Sequence, residues 1–194
     1  MIGRYLKIAM AGRRLLEKDA SMSMEKIIIV DRKDRQIGTG EKLDVHRKGR
    51  LHRAFSIFIF NPEGETLLQR RAAGKYHSAG LWTNTCCSHP REGEKLEEAV
   101  HRRLRQEMGF DCALKEIFSF IYKVKFGNGL YEHEFDHVFV GSFEGKPAPD
   151  PEEADGWKWV SLEELKADIK RSPEKYTYWL RASLDRLISE RKVG

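Results

Sequence analysis

Residues 82–109 constrain this chain more than any other stretch, because their second half reads as an amphipathic helix with charges inside its apolar face. Apolar side chains recur at helical spacing and form one stripe, made of Leu96, Ala99, Val100, Leu104 and Met108. On the same helix, Arg103 and Glu107 fall within that stripe rather than on the solvent side. An ionised group directed into an apolar face costs free energy unless it is paired or binds a ligand. The helix therefore predicts either an ion pair or a site.

The residues just upstream of the helix favour a functional site over a simple ion pair. Arg103 and Glu107 are four residues apart, so they could simply neutralise each other as an i,i+4 pair. However, Cys87 and His89 place a thiol and an imidazole two residues apart immediately before the helix. Thiol, imidazole, carboxylate and guanidinium thus converge within one loop–helix unit, a combination typical of functional sites.

The same residues carry a family resemblance. The pattern Ser88-x5-Glu94-x7-Arg102-Arg103-Leu104-Arg105-Gln106-Glu107-Met108-Gly109-Phe110 resembles the Nudix box, G-x5-E-x7-R-E-U-x-E-E-x-G-U, in which U is a bulky apolar residue. Nudix hydrolases use the glutamates of R-E-x-x-E-E to hold the metal ions that activate water. Only the last of these is present here, as Glu107, because Arg103 and Gln106 occupy the other two positions.

The altered box, preceded by W-T-N-T-C-C-S-H-P, is similar to that of the type I isopentenyl-diphosphate isomerases, Nudix-fold enzymes that do not hydrolyse their substrate. The resemblance covers roughly residues 27–179. It implies an α/β fold of the α+β kind, a Nudix-like α/β/α sandwich with a mixed sheet in a single domain.

The order of hydrophobic segments agrees with that fold, since strands alternate with a few helices. We predict strands at residues 26–30, 51–60, 66–70, 113–118, 120–126, 131–141 and 157–160. We predict further helices at residues 41–46, from the capping box at 161–164 onwards, and at 173–191. These elements define an isomerase-like domain over residues 24–194. Residues 1–23 are a basic extension, either a targeting helix or, as we expect, a peripheral segment.

The composition limits the classes of partner and the cellular compartment that we expect. The net charge is +5 and the basic residues are scattered, so we expect a polyanionic small molecule as the partner rather than nucleic acid. No apolar run is long enough to span a bilayer, and a membrane partner is not expected. The 3 cysteines, two of them adjacent, make a poor disulfide framework and indicate reduced thiols in a cytoplasmic protein. The sequence leaves monomer and dimer open.

A second group of residues predicts a metal site. In a strand, Glu132 and Glu134 point to the same face, where two carboxylates repel unless a metal neutralises them or one holds a raised pKa. The alternative is a solvated pair on an edge strand. Together with His46, His52 and His89, the pair makes an N3O2 ligand set suited to zinc, manganese or iron.

The resemblance assigns the metals. It implies that His46, His52, His89, Glu132 and Glu134 hold one divalent ion, Mn²⁺ or Zn²⁺. The spacing departs from the family pattern at His46, because five residues rather than six separate it from His52. Glu107 matches the residue that holds Mg²⁺ bridged to the substrate diphosphate, in keeping with the preference of that ion for oxygen ligands.

The resemblance also implies how the diphosphate is bound. Charge-assisted hydrogen bonds suit that group, and the matching cationic residues are Lys42, Arg71, Lys75 and Arg103. For Lys42 and Lys75, an ordinary surface position is a serious alternative on sequence alone.

Moving a carbon–carbon double bond requires an acid and a base on opposite faces of a flat allylic unit. By resemblance, Cys87 and Glu134 fill these roles, Tyr122 hydrogen-bonds Glu134, and Trp179 covers a cationic intermediate with its ring. Tyr178 stands where the family pattern usually has proline. Cys86 and Cys112 are expected to be packing residues.

The function predicted is interconversion of isopentenyl and dimethylallyl diphosphate in isoprenoid biosynthesis. The nearest alternative is a Nudix pyrophosphohydrolase acting on a nucleoside diphosphate derivative, which the replaced glutamates disfavour. A third possibility, a non-catalytic diphosphate-binding module, would not need the Cys87–Glu134 pair.

Overall fold

The computed structural model describes residues 25–191, so the predicted basic extension at residues 1–23 lies outside the described part of the chain. The strands are β1 (Lys26–Val30), β2 (Gln36–Glu41), β3 (His52–Phe60), β4 (Thr66–Arg71), β5 (Trp82–Thr83), β6 (Cys86–Ser88), β7 (Leu114–Lys125), β8 (Tyr131–Ser142) and β9 (Ala154–Val160). The helices are α1 (Lys42–Lys48), α2 (Leu96–Met108), α3 (Leu162–Arg171) and α4 (Tyr178–Arg191), with a 3₁₀ turn at Pro173–Lys175.

Strand β3 lies at the centre of one mixed sheet. It pairs in parallel with β8 along its whole length and antiparallel with β1, β4 and β6. Its side chains alternate between two hydrophobic clusters, because successive residues of a strand point to opposite faces. Phe55, Ile57 and Ile59 pack with α2, whereas Phe58 and Phe60 pack with α3 and α4. Helices on both faces make the α/β/α sandwich that was predicted.

Helix α2 has the predicted apolar stripe, and its buried face includes Ala99, Val100, Leu104 and Met108 together with the charged Glu107. The helix ends at Gly109, which has a φ of 77°. A Cβ at this position would collide with the carbonyl oxygen of Ala148. Glycine is therefore required both by the left-handed conformation and by the close approach of the neighbouring segment.

Some predicted boundaries were wrong. The two strands predicted at residues 113–118 and 120–126 are one continuous strand, β7 (Leu114–Lys125), with a bulge between Glu116 and Phe118. The segment Cys86–Ser88 is a short strand paired with β3 and not simply a loop. The last helix begins at Tyr178, after the separate 3₁₀ turn. The predicted capping box is present, since Ser161 Oγ accepts a hydrogen bond from Glu164 N.

The register of the sheet brings the predicted site residues together. His52 on β3 lies opposite Glu134 on β8, and Glu134 lies opposite Tyr122 on β7. Ser56 on β3 lies opposite Cys87 on β6. In the described residues, none of the helices has both the length and the apolar character needed to cross a membrane.

Candidate active site

One cavity brings the predicted site residues together. Its walls contain Ser88, the newly identified Tyr76 and His77, and these predicted residues: Lys42, Arg71, Lys75, Cys87, His89, Arg103, Glu107, Tyr122, Glu132, Glu134 and Trp179. The other two predicted ligands, His46 and His52, do not line the cavity but are fully buried behind it. Residues from the helices α1, α2 and α4 and from several strands and loops therefore converge on one place, which is why local patterns alone could not reveal the arrangement.

The five predicted ligands form a compact His/Glu cluster. One donor atom from each of His46, His52, His89, Glu132 and Glu134 lies within 4.8 Å of all the others. His89 Nε2 lies 3.2 Å from His52 Nε2 and 3.0 Å from Glu134 Oε1. Glu132 and Glu134 are 3% and 8% exposed, so the alternative of a solvated edge pair is wrong. The shortened spacing before His52 does not keep His46 out of the cluster.

Hydrogen bonds outside the cluster orient two of its imidazoles. His46 Nδ1 donates to the Lys42 carbonyl oxygen at 2.6 Å, and His52 Nδ1 donates to the Arg50 carbonyl oxygen at 2.9 Å. Because a carbonyl oxygen can only accept, Nδ1 carries the hydrogen and Nε2 of the neutral ring presents a lone pair to the cluster. This is the tautomer that a metal-binding histidine requires.

The cluster fits a divalent cation. His46 Nε2 and Glu132 Oε2 are buried 3.2 Å apart, yet neither has a hydrogen-bond partner among the described residues. Two facing lone pairs repel unless a cation or a proton lies between them. Although burial lowers the pKa of His46, the charge of Glu132 outweighs it and raises that pKa. Nitrogen and carboxylate donors together suit a borderline transition metal.

The carboxylates of the cluster are held ionised. Burial works to raise the pKa of Glu132, but the charge of His46 and the hydrogen bond from His77 hold it well below its usual range. Burial and the charge of Glu132 work to raise the pKa of Glu134, but the contacts with His52 and His89 outweigh them and lower it. Neither carboxylate of the pair therefore has the raised pKa that the sequence analysis gave as the alternative to a metal.

His77 is a site residue that the sequence analysis missed. Its Nε2 lies 2.7 Å from Glu132 Oε1, on the side of that carboxylate away from His46. Its ring stacks on Phe126 at 4.7 Å and meets the Trp179 ring edge-on at 5.8 Å. His77 follows a basic loop without strand or helix periodicity, so the sequence around it gives no signal of this role.

The predicted cationic residues line the same cavity, and three of the four are paired with carboxylates. Lys42 Nζ lies 3.0 Å from Glu25 Oε2, whereas Lys75 and Arg103 both contact Glu153. The side chains of Lys42 and Lys75 are only 16% and 18% exposed, so neither is an ordinary surface lysine.

Arg103 and Glu107 form the ion pair that was the simpler prediction for them, but the pair belongs to a larger group. Arg103 donates to Glu107 Oε1 and also lies 3.4 Å from Glu153 Oε1. Gln69 Nε2 donates to Glu107 Oε2 at 2.8 Å. Burial works to raise the pKa of Glu153, yet Lys75 and Arg103 lower it to about 2. Glu25, Gln69 and Glu153 were all missed, because partners so distant in sequence leave no local pattern.

Cys87 lies on β6 with its sulfur among polar atoms. Its Sγ is 2.8 Å from Asn84 Oδ1 and 3.6 Å from Ser56 Oγ. Ser56 in turn donates to Asp136 Oδ2 at 2.8 Å. Burial, followed by the charge of Asp136, raises the pKa of the Cys87 thiol. The other two cysteines are also free thiols, and Cys86 is buried in the core as predicted.

Tyr122 and Trp179 approach the reactive groups from β7 and α4. Tyr122 Oη donates to Glu134 Oε2 at 2.6 Å, as the resemblance implied. Trp179 is 4% exposed, and the Arg71 guanidinium lies 5.3 Å from its ring centroid. Burial and then the charge of Glu134 raise the pKa of Tyr122 well above its usual value. The phenol is therefore a hydrogen-bond donor throughout the neutral range.

Comparisons with known proteins agree with this geometry. The NUDIX domain profile matches residues 50–180. The chain is 56% identical over 170 residues to isopentenyl-diphosphate Delta-isomerase 2 of Aromatoleum aromaticum, a match that covers 88% of this chain and 90% of that protein. It is 53% identical over 163 residues to isopentenyl-diphosphate Delta-isomerase 2 of Photorhabdus laumondii, covering 84% and 92%.

Solved structures show the same fold at lower sequence identity. A Deinococcus radiodurans protein superposes with a TM-score of 0.71 at 22% identity, covering 84% of this chain and 98% of that one. The MutT protein of Methanosarcina mazei superposes with a TM-score of 0.62 at 22% identity, covering 73% and 96%. The chain belongs to the NUDIX family and, within it, to the isopentenyl-diphosphate Delta-isomerases.

Proposed function

We propose that this enzyme interconverts isopentenyl and dimethylallyl diphosphate, with Cys87 and Glu134 as the two proton-transferring groups. The observation that carries the proposal is that both line one cavity together with cationic side chains and a buried His/Glu cluster. A hydrolase of this fold would require a carboxylate-rich metal site on α2, where only Glu107 remains of the three terminal glutamates of the Nudix box.

The reaction needs one proton added at the terminal methylene carbon of isopentenyl diphosphate and one removed from the methylene carbon on the other side of the branch. Glu134 is positioned on one side by Tyr122 at 2.6 Å. Cys87 is held as a thiol by its raised pKa, so it can exchange a proton on the other side. The tertiary cation formed between these steps requires a site without reactive water, and the buried Trp179 ring stabilises positive charge.

Two metal ions complete the proposal. His46, His52, His89, Glu132 and Glu134 would hold Mn²⁺ or Zn²⁺, which would lower the pKa of the Glu134 carboxyl and keep its geometry fixed. Glu107 would hold Mg²⁺ together with the substrate diphosphate. Lys42, Arg71, Lys75 and Arg103 would bind the diphosphate oxygens. The substrate is thus a small isoprenyl diphosphate, in the cytoplasm as free thiols suggest.

Substitution of Cys87 tests this function. Cys87→Ala should reduce isomerisation by more than about 1,000-fold, since it removes one of two proton-transferring groups. Binding of isopentenyl diphosphate and the melting temperature should change little. Turnover is measured by conversion of isopentenyl diphosphate to its isomer, with ADP-ribose as a parallel substrate to reveal hydrolysis.

Cys86→Ala is the matched control, because the neighbouring thiol is buried in the core. It should lower stability by about 1–2 kcal/mol while turnover per folded molecule stays near normal. Near-normal turnover of Cys87→Ala, or cleavage of ADP-ribose by the unmodified enzyme, would contradict the proposal.

A further inference from the structure

A chain of hydrogen bonds joins the Trp179 ring to the Cys87 thiol through two residues to which no role has been assigned. Trp179 Nε1 lies 2.8 Å from Thr83 Oγ1, and Thr83 Oγ1 lies 3.0 Å from Asn84 Oδ1. Asn84 Oδ1 is also the atom 2.8 Å from Cys87 Sγ. Thr83 and Asn84 are 1% and 0% exposed, so water does not substitute for these contacts.

Elementary chemistry fixes the direction of each bond. Asn84 Nδ2 lies 3.1 Å from the Ile57 carbonyl oxygen and 3.0 Å from the Cys86 carbonyl oxygen, so the amide nitrogen must face these two acceptors. Its Oδ1 therefore faces Thr83 and Cys87, and an amide oxygen can only accept. Both the Thr83 hydroxyl and the Cys87 thiol must then donate to Asn84.

The directions of the hydrogen bonds at the Trp179 end of the network are also fixed. An indole N–H can only donate, so Trp179 donates to Thr83. The single hydrogen of Thr83 is already directed to Asn84, and the neighbouring Thr177 hydroxyl must donate to Thr83 at 3.0 Å. Thr83 thus accepts two hydrogen bonds and donates one, which uses its full capacity. A buried network with every member satisfied allows one arrangement and resists rotation of its side chains.

We propose that Thr83 is a positioning residue that couples the orientation of the Trp179 ring to the orientation of the Cys87 thiol, acting through Asn84. The inference rests on the proposed function, in which Trp179 faces the cation that exists between the proton transfers at Cys87 and Glu134. The Trp179 ring and the Cys87 thiol must be held in position at the same time, because a misplacement of about 1 Å can reduce turnover by about 100-fold. Thr83 connects the start of α4 to strand β6, which carries the thiol.

The test compares three variants at two buried threonines. Thr83→Val keeps the shape but removes the hydroxyl, and it should lower kcat by about 10- to 100-fold while KM stays within about threefold. Thr83→Ser keeps the hydroxyl and should restore most of kcat. Thr66→Val is the control, because Thr66 is equally buried and its Oγ1 has no hydrogen-bond partner among the described residues. It should leave kcat unchanged.

A spectroscopic readout makes the result independent of turnover. The protein has 4 tryptophans, so Trp179→Phe identifies the indole N–H resonance of Trp179 in a ¹⁵N spectrum. That resonance should shift, and its hydrogen should exchange faster, in Thr83→Val but not in Thr83→Ser or Thr66→Val. The double variant Thr83→Val/Trp179→Phe should lose less turnover than the product of the two single losses, as coupled sites do.

Several results would overturn the coupling. These are an unchanged kcat in Thr83→Val, an equal loss in Thr66→Val, an unshifted Trp179 resonance, or losses that multiply in the double variant. Failure of the unmodified enzyme to isomerise its substrate is a separate outcome, because it would remove the proposed function while the resonance still reports whether the hydrogen bonds exist.

Discussion

The two charged groups of the cavity, the His/Glu cluster on one side of the comparison and the cationic residues on the other, differ in how their charges are balanced. The His/Glu cluster directs buried lone pairs at one another, and His46 Nε2 and Glu132 Oε2 lie 3.2 Å apart without a hydrogen bond. On the side of the proposed diphosphate site, by contrast, Lys75 and Arg103 already share the carboxylate of Glu153. The His/Glu cluster is arranged to receive a cation, whereas the charges of Lys75 and Arg103 are already neutralised by a carboxylate of the protein.

This difference indicates how tightly each side should hold its ligand. A cluster of oriented donors, in which the facing His46 Nε2 and Glu132 Oε2 atoms have no hydrogen-bond partner among the described residues, gains much free energy from a metal and should retain it through purification. Paired cations must exchange protein carboxylates for diphosphate oxygens, so part of the binding free energy is offset by the contacts that are lost. We therefore expect a resident metal on one side and reversible, Mg²⁺-dependent binding on the other.

The largest effect expected is loss of the resident metal when a cluster ligand is removed. His89→Ala should lower affinity for the transition metal by at least about 100-fold, so that the purified protein is depleted of it even without substrate. Elemental analysis measures the content. His101→Ala is the control, since that histidine lies on α2, away from the cluster, and its ion pair is with Asp111. Full metal content in His89→Ala would show that the cluster is not the metal site.

Glu107→Gln should have a smaller effect that is confined to the diphosphate side. It removes the charge that would hold Mg²⁺, so the Mg²⁺ concentration for half-maximal activity should rise by about 10-fold or more. The content of transition metal should not change. Mg²⁺ titrations and elemental analysis of Glu107→Gln and of Glu98→Gln, an exposed glutamate on the same helix, would test both statements. Loss of the transition metal in Glu107→Gln would mean that the two sides are one site.

The residues of the cavity also differ in whether the sequence predicted them. The periodicity of α2 predicted Glu107 as a charge within an apolar stripe, and the alternation in β8 put Glu132 and Glu134 on one face, whereas the resemblance supplied their roles as ligands. The Arg103–Glu107 pair lies within one helix and was also considered, but the partners distant in sequence were not predicted. Glu153 contacts Lys75 across 78 positions of the chain, and no local pattern encodes such a distance. His77 was missed for the same reason.

Glu153→Gln tests the comparison directly, because it removes the negative charge that balances Lys75 and Arg103. Lys75 and Arg103 would then lack the carboxylate that they share, so inorganic pyrophosphate should bind about three- to tenfold more tightly in the presence of Mg²⁺. Calorimetric titration measures this affinity, and Glu144→Gln, at an exposed position, is the control. Weaker binding in Glu153→Gln would show that Glu153 orients the cations for the diphosphate rather than competing with it.

The smallest effect concerns stability in acid. The pKa of Glu153 is about 2 in the folded protein instead of 4.5, so between these values the unfolded chain binds more protons and stability rises with pH. The contribution, about 2–3 kcal/mol, should be fully present above pH ~4.5 and lost progressively as the pH falls toward ~2. Urea unfolding of the unmodified protein and of Glu153→Gln at pH 6, 4 and 3 would measure it. The difference in unfolding free energy should be largest at pH 6 and shrink steadily towards pH 3. A difference that is independent of pH would mean that Glu153 stabilises the fold through its shape and not through its charge.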